Sequence, residues 1–123
     1  MQKGTKVYIG LAFIVIVILI IISLIRSNEY MSKEELLCLA ERSQLFVSST
    51  CGHCATQKQT LQNNLDEYDM NLSIFDMIVC NENNQTIKIC QDNGITGVPT
   101  WIINDQTYRG VQTLKELKKL SGC

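Results

Sequence analysis

The sequence predicts an α/β domain, in which a mixed sheet is flanked by helices, behind a single N-terminal transmembrane helix. Three observations predict it: a long uncharged apolar run near the N-terminus, alternating helix and strand patterns after it, and a hairpin signal before the last helix. The expected order after the apolar run is helix, strand, helix, strand, helix, strand, strand, helix. Strand–helix–strand units followed by a hairpin imply both parallel and antiparallel pairing.

The apolar run covers residues 7–25 and contains no charged residue. About 20 apolar residues match the thickness of the hydrocarbon layer of a bilayer. A cleaved secretory signal is the alternative, but its apolar region is about 7–15 residues long, and no small-x-small cleavage site follows here. We therefore expect an uncleaved membrane anchor over 1–26, a polar linker over 27–31 and a folded domain over 32–123.

The orientation of the anchor follows from its flanking charges and from the cysteines. Lys3 and Lys6 precede the apolar run, whereas Arg26 and Lys33 follow it among glutamates, which favours a cytoplasmic N-terminus by a small margin. All six cysteines lie after the run, and such a density in a small domain is typical of an oxidising compartment. We expect a single-pass protein in contact with membrane lipid, with its domain on the extracytoplasmic or lumenal side.

The domain itself is acidic and small. Residues 27–123 contain eight Lys/Arg and twelve Asp/Glu, a formal charge of −4. No basic patch is visible, so nucleic acid is not an expected partner. About 90 residues give only a marginal core, which a structural disulfide would help to stabilise.

The first helix of the domain begins at a capping box, Ser32 with Glu35 three residues later, and runs to about Arg42. Its apolar residues fall on one face: Leu36, Leu37, Leu39 and Ala40. Cys38 falls on the opposite face among charged residues, so we expect it to be exposed.

The remaining elements follow from apolar runs and turn residues. Residues 44–49 form a buried strand, 55–65 a helix, 72–79 a central strand with two apolar faces, and 83–91 a short helix ended by Asn93-Gly94. Strand 100–103, the turn Asn104-Asp105, strand 107–109 and helix 113–120 complete the chain.

Cys51 and Cys54 are separated by two residues at the expected start of a helix. Disulfide exchange needs one thiolate that attacks and a second thiol that resolves the mixed disulfide. Since a helix N-terminus stabilises a thiolate, Cys51 is the predicted nucleophile and Cys54 the resolving thiol. The redox-active disulfide would then need no cofactor.

His53 is the single histidine and lies between the two thiols. It can favour the Cys51 thiolate, which makes the disulfide a better oxidant. The alternative is an ordinary surface histidine. A zinc site is the other interpretation of the cysteine pair. A structural zinc site would need a second ligand pair, such as another CxxC or an HxxxH, and the sequence has neither, so we expect no metal.

The tetrad Cys51-Gly52-His53-Cys54 after a short strand, and residues 97–101 (GVPTW) before a hairpin, resemble the thioredoxin superfamily. The resemblance implies that Pro99 is cis and that Val98 offers its backbone to a substrate. The tetrad is also similar to that of protein disulfide isomerases.

A closer resemblance rests on Cys80, on residues 90–101, on the stretch 108–110 (YRG), and on Leu114, Leu117 and residues 120–122 (LSG). These resemble the thioredoxin-like domain fused to bacterial vitamin K epoxide reductase homologues. That domain follows a transmembrane helix and passes electrons from substrate thiols to a quinone-reducing bundle. The bundle is absent here, so the resemblance implies a membrane or soluble redox partner, a quinone-reducing membrane protein being one candidate.

The same resemblance implies a structural disulfide between Cys80 and Cys90, with two core thiols or a second active pair as alternatives. Cys38 and Cys123 have no counterpart, and we hypothesise a bond between them or to a partner chain. Two positions depart from the superfamily: Thr50 replaces the usual Trp, and Leu45 replaces the usual buried acid.

Together these features predict a membrane-anchored thiol–disulfide oxidoreductase. It would act on cysteine-containing extracytoplasmic proteins, with oxidation or isomerisation favoured over reduction. One alternative is a membrane-tethered binding module of the same fold, in which the Cys51–Cys54 disulfide is permanently oxidised. The other is a structural membrane protein whose disulfides only stabilise it.

Overall fold

A computed structural model describes residues 2–27 and 30–123, with side chains described for 7–25 and 30–123. The chain divides into two compact units, Met1–Tyr30 and Met31–Cys123. The first contains helix α1 (Gln2–Ser27), whose segment Val7–Ile25 is long and apolar enough to cross a membrane. The predicted orientation depends on the side chains of Lys3, Lys6 and Arg26, which lie outside the described residues.

The second unit contains four strands and four helices within its described residues. They are α2 (Lys33–Arg42), β1 (Ser43–Val47), α3 (Gly52–Leu65), β2 (Asp76–Val79), α4 (Asn84–Asp92), β3 (Thr100–Ile103), β4 (Gln106–Arg109) and α5 (Leu114–Ser121). Two 3₁₀ turns, Asp66–Tyr68 and Leu72–Ile74, lie between α3 and β2.

The sheet has the order β2-β1-β3-β4. Strand β1 pairs parallel with β2 and antiparallel with β3, and β3 pairs antiparallel with β4. The predicted fold class is confirmed: this is a thioredoxin-like mixed sheet flanked by helices and preceded by an apolar N-terminal helix. Strand β1 lies inside the sheet, and its C-terminal end at Val47 leads through residues 48–51 to the N-terminus of α3.

Local capping explains where the helices begin. Ser32 and Glu35 form the predicted capping box of α2, and Thr113 with Glu116 forms a second one at α5. Asn83 caps α4 through its side chain. Each cap satisfies backbone N–H groups that a helix start would otherwise leave unpaired.

The core is built around Trp101 of β3, whose ring meets that of Phe75 edge to face at a centroid distance of 6.0 Å. Helices α2, α3 and α5 each contribute buried leucines to this core. They are Leu36, Leu39, Leu61, Leu65 and Leu117.

The prediction of a central strand over 72–79 is wrong in two respects. Only Asp76–Val79 is a strand, and it lies at an edge of the sheet. The Asn71 side chain accepts a hydrogen bond from the Ser73 N–H and starts a 3₁₀ turn over Leu72–Ile74, so those apolar residues pack as a turn.

Three residues in α2, or just before it, differ from expectation in their burial. Leu37 is 41% exposed, because α2 turns Leu36 and Leu39 to the core instead. Cys38 is half-buried through its disulfide with Cys123. Met31, expected in the linker, is 1% exposed and packs in the core. Of that expected linker, residues 28 and 29 lie outside the described residues.

Candidate redox site

The pair Cys51 and Cys54 lies at the N-terminus of α3, and the two residues form a disulfide with their Cα atoms 5.2 Å apart. Cys51 is the N-cap residue, and the backbone N–H of Cys54 donates a hydrogen bond to its Sγ at 3.1 Å. This N–H is one of those that a helix start leaves unpaired, and the helix dipole adds positive potential there. The position therefore stabilises negative charge on the Cys51 sulfur.

The two sulfurs differ in exposure. Cys51 is half-buried, whereas Cys54 is fully buried. A Cβ placed on Gly52 or Gly97 would meet no heavy atom within 4 Å, so there is open space at both glycines. Of the two cysteines, only Cys51 is therefore open to a reactant from solvent.

The segment before β3 lies against the disulfide. The Val98 carbonyl oxygen is 3.6 Å from Cys51 Sγ, and the Val98–Pro99 peptide bond is cis. Val98 is half-buried and Pro99 is buried. The N–H of Gly110 donates to the Pro99 carbonyl at 2.9 Å, which holds this segment to the end of the β-hairpin.

His53 is exposed on the first turn of α3. Within the described part of the chain its imidazole makes no hydrogen bond to protein. A direct influence on Cys51 would therefore be electrostatic, and that role stays a prediction.

The structure joins Cys80 to Cys90 and so ties the end of β2 to α4. Next to Cys80, the Asn81 side chain accepts from the Ser49 N–H at 3.0 Å and donates to its hydroxyl at 2.9 Å. Cys38 is joined to Cys123. The Cys80–Cys90 bond thus borders the loop that leads to Cys51, whereas Cys38–Cys123 lies between α2 and the end of α5.

Leu45 and Thr50 are the two positions where the sequence departs from the thioredoxin superfamily pattern. Leu45 is fully buried in β1, and Thr50 is exposed with its hydroxyl 3.3 Å from that of Ser48. The buried polar side chains of the described residues carry no titratable group. They are Ser43, Gln57, Asn64, Thr100 and Ser121.

Two of those polar residues, Gln57 and Asn64, lie on α3 and were not predicted as important. The signal was present in the sequence, because they fall at the helical spacing of Cys54, Leu61 and Leu65 and so share the buried face. A polar side chain that is buried on the apolar face of a helix almost always has a hydrogen-bond partner. Among the described residues, no three His, Cys, Asp or Glu side chains are grouped as metal ligands.

Comparison with known proteins gives a distant relative of related chemistry. No family model matches the chain. The thiol–disulfide oxidoreductase LTO1 of Arabidopsis thaliana is 29% identical to it over 80 residues, which is 65% of this chain and 21% of that protein. The match and the fold support a place in the thioredoxin-like redox superfamily. The chain spans about a fifth of the length of this curated relative, and the match together with the disulfides supports a redox role.

Proposed function

We propose that this chain is a membrane-anchored thiol–disulfide oxidoreductase that acts on cysteines of proteins outside the cytoplasm. The observation that carries the proposal is that Cys51, half-buried at a helix N-terminus, forms a disulfide with the fully buried Cys54. Cys51 is open to a substrate and Cys54 is protected. This is the asymmetry that a two-step exchange needs.

In the oxidising direction a substrate thiolate attacks Cys51 Sγ, the bond between the two cysteines breaks, and Cys54 leaves as a thiolate. A second substrate thiolate then attacks the substrate sulfur of the mixed disulfide and releases the Cys51 thiolate. The substrate loses two electrons and gains a disulfide, and its two thiol protons are replaced, through exchange with solvent, by two protons on Cys51 and Cys54. The Cys54 N–H, 3.1 Å from Cys51 Sγ, stabilises the second leaving group.

Two features support oxidation or isomerisation over reduction. A stabilised Cys51 thiolate stabilises the reduced protein and so makes its disulfide more oxidising. Two further disulfides in the same unit fit an oxidising compartment. His53 beside Cys51 would add to the first effect when it is protonated.

The apolar segment Val7–Ile25 would hold the domain at a membrane, with the N-terminus in the cytoplasm. Each oxidising cycle leaves two electrons on Cys51 and Cys54, so a partner must accept them. We propose a redox partner of the quinone-reducing membrane class, because such a partner would share the bilayer with the anchor. Because Leu45 stands where the superfamily usually has a buried acid, the proton of Cys54 would have to exchange without help from that position.

The test is the reduction potential of the Cys51–Cys54 pair in the full chain in detergent, titrated with glutathione buffers and followed by mass tagging of thiols. We expect a value of about −120 to −200 mV, the range of oxidants and isomerases. A Cys51→Ser/Cys54→Ser variant keeps the other two disulfides and identifies which tags belong to this pair. A value near about −270 mV would reverse the direction, and a pair that never reduces would favour a binding module.

The proposed side of the membrane needs its own experiment. A membrane-impermeant reductant followed by an impermeant maleimide should label Cys51 in intact cells of an expressing host. The Cys51→Ser/Cys54→Ser variant gives the background, and lysed cells give the maximum. Labelling that appears only after lysis would place the domain in the cytoplasm.

A further inference from the structure

Gln57 is a fully buried polar residue on the helix that carries the redox pair. It follows Cys54 by three residues, so the two side chains project from the same side of α3. An amide in this position would cost free energy if its groups were unpaired. Every one of its polar atoms is paired, and all of its partners lie outside α3.

The amide of Gln57 joins α3 to two other segments. Its Oε1 accepts from the Trp101 indole N–H at 3.1 Å and from the Gln112 backbone N–H at 2.7 Å. Its Nε2 donates to the Gln112 carbonyl at 3.0 Å. Strand β3 and the segment after β4 are therefore fixed to the same point of the redox helix.

Both segments are connected to Pro99, one along the chain and the other through a hydrogen bond. Trp101 follows it by two residues in β3, and Gly110 donates its N–H to the Pro99 carbonyl. The stretch from Gly110 to Gln112 is thus held at one end by Pro99 and at the other by Gln57. We infer that Gln57 is a positioning residue, which sets the place of the Val98–Pro99 segment relative to the two cysteines.

The inference rests on the proposed function, because it concerns a substrate joined to Cys51. A substrate sulfur bonded to Cys51 Sγ must lie beside Val98, whose carbonyl oxygen is 3.6 Å from that atom. The helix and the Val98 segment therefore form two walls of the reaction site. Their separation decides whether a peptide around the substrate cysteine fits, and a small reagent that touches only Cys51 does not depend on it.

Asn64 supplies a matched control on the same helix. It is equally buried, and its amide accepts from the Met31 N–H at 2.8 Å and donates to the Met31 carbonyl at 3.1 Å. It lies ten residues after Cys54, away from the redox end of α3. Asn64→Leu and Gln57→Met both remove a buried amide and its bonds, and only the second touches the Trp101 and Gln112 segments.

The experiment uses the full chain in detergent in wild-type, Gln57→Met and Asn64→Leu forms. One rate constant is measured for the chain oxidised at Cys51 and Cys54 with a synthetic peptide that carries two thiols. Another is measured for the reduced chain with iodoacetamide, both below the unfolding temperature of each variant. We expect Gln57→Met to slow the peptide reaction about tenfold or more, since small misplacements of reacting groups have large effects on rate. Alkylation of Cys51 should stay near the wild-type rate, and Asn64→Leu should leave both rates unchanged.

A wild-type peptide rate in Gln57→Met, or an equal loss in Asn64→Leu, would overturn the inference and leave the proposed function intact. A wild-type chain that does not react with the peptide would overturn the proposed function, and the inference with it. Gln57→Glu keeps the oxygen that accepts from Trp101 and Gln112, so it should recover part of the peptide rate. If Gln57→Met does not fold, Gln57→Asn decides, because its amide is one methylene shorter and should lose part of the contact with Trp101 and Gln112; a peptide rate equal to that of wild type in that variant then counts against the inference.

Discussion

The disulfide between Cys38 and Cys123 joins the middle of α2 to the residue after Gly122, where α5 has ended. The two cysteines are 85 residues apart, so the bond closes a loop around nearly the whole second unit. The two helices also meet through an ion pair between Glu35 and Lys118. A covalent link of this span should contribute strongly to the stability of a domain with a small core.

The first prediction concerns this link. Chain-entropy arguments give about 4–5 kcal/mol for a loop of this length and about 3 kcal/mol for the shorter loop between Cys80 and Cys90. Replacing Cys38 and Cys123 by Ala should therefore lower the free energy of unfolding more than replacing Cys80 and Cys90. Urea unfolding followed by the fluorescence of Trp101, which is the single Trp and is fully buried, measures both. The reverse order of the two losses would contradict the prediction.

The second prediction concerns pH. The Lys118 ammonium group and the Ser32 backbone N–H both donate to the Glu35 carboxylate and hold its pKa below the ordinary value of 4.5. A carboxyl group with a lowered folded pKa stabilises the fold above its unfolded pKa, and this contribution disappears as the pH falls through the folded pKa. Glu35→Gln should lower the free energy of unfolding by about 1 kcal/mol at pH 7.

The difference between Glu35→Gln and wild type should start to shrink below about pH 4.5, where Glu35 is protonated in the unfolded chain, and should be gone once the folded chain is protonated at its lower pKa. Lys118→Met is the control, since it removes the ion pair and leaves the capping box with Ser32 in place. It should show a smaller loss at pH 7. A loss in Glu35→Gln that is the same at pH 3 and pH 7 would show that the carboxylate charge is not the cause.

The third prediction separates the two cysteines of the redox pair. Cys54→Ser leaves the accessible Cys51 without its resolving thiol, so mixed disulfides with substrate proteins should accumulate. Non-reducing electrophoresis followed by mass spectrometry detects them. Cys51→Ser, whose remaining thiol at Cys54 is buried, should accumulate few or none. Equal adduct levels in the two variants would mean that burial of Cys54 does not protect it.

The fourth prediction concerns the turn between β3 and β4. Asn104 and Asp105 both have positive φ, at 48° and 63°, which is the pattern of a two-residue turn that favours Asn-Gly. Asp105→Gly should raise the free energy of unfolding by about 0.5–1 kcal/mol. Asn104→Gly should show no such gain, because the Asn104 amide donates to the Ser121 carbonyl at 3.1 Å and that bond would be lost. The urea assay on Trp101 distinguishes the two.

The sequence predicted best those features that depend on neighbours along the chain. The capping box of Ser32 and Glu35, the turn at Asn104-Asp105 and the strand Thr100–Ile103 are all where the pattern placed them. Each is determined by residues within a few positions of one another. The helix that follows Cys51 was also predicted, although it begins three residues earlier than its apolar pattern, because Cys51 itself acts as the cap.

Features that depend on distant partners were missed or wrong. The apolar run 72–79 gave no sign that Asn71 would divert its first part into a turn, or that the strand would be at an edge. The helical spacing of Gln57 indicated its buried face but not its partners, because Trp101 and Gln112 are far away in sequence. The same holds for Asn64, which pairs with the backbone of Met31. Such contacts exist only once the chain has folded.

The span of the Cys38–Cys123 bond has a consequence for biosynthesis. At about 5–20 residues per second, the 85 residues from position 39 to position 123 take roughly 4–17 s to be made, and Cys51, Cys54, Cys80 and Cys90 are all made in that interval. A newly made Cys38 therefore meets four wrong partners before the right one exists. Joining cysteines in their order of appearance cannot give the native set, so the nascent chain must either keep Cys38 reduced or exchange an early bond later.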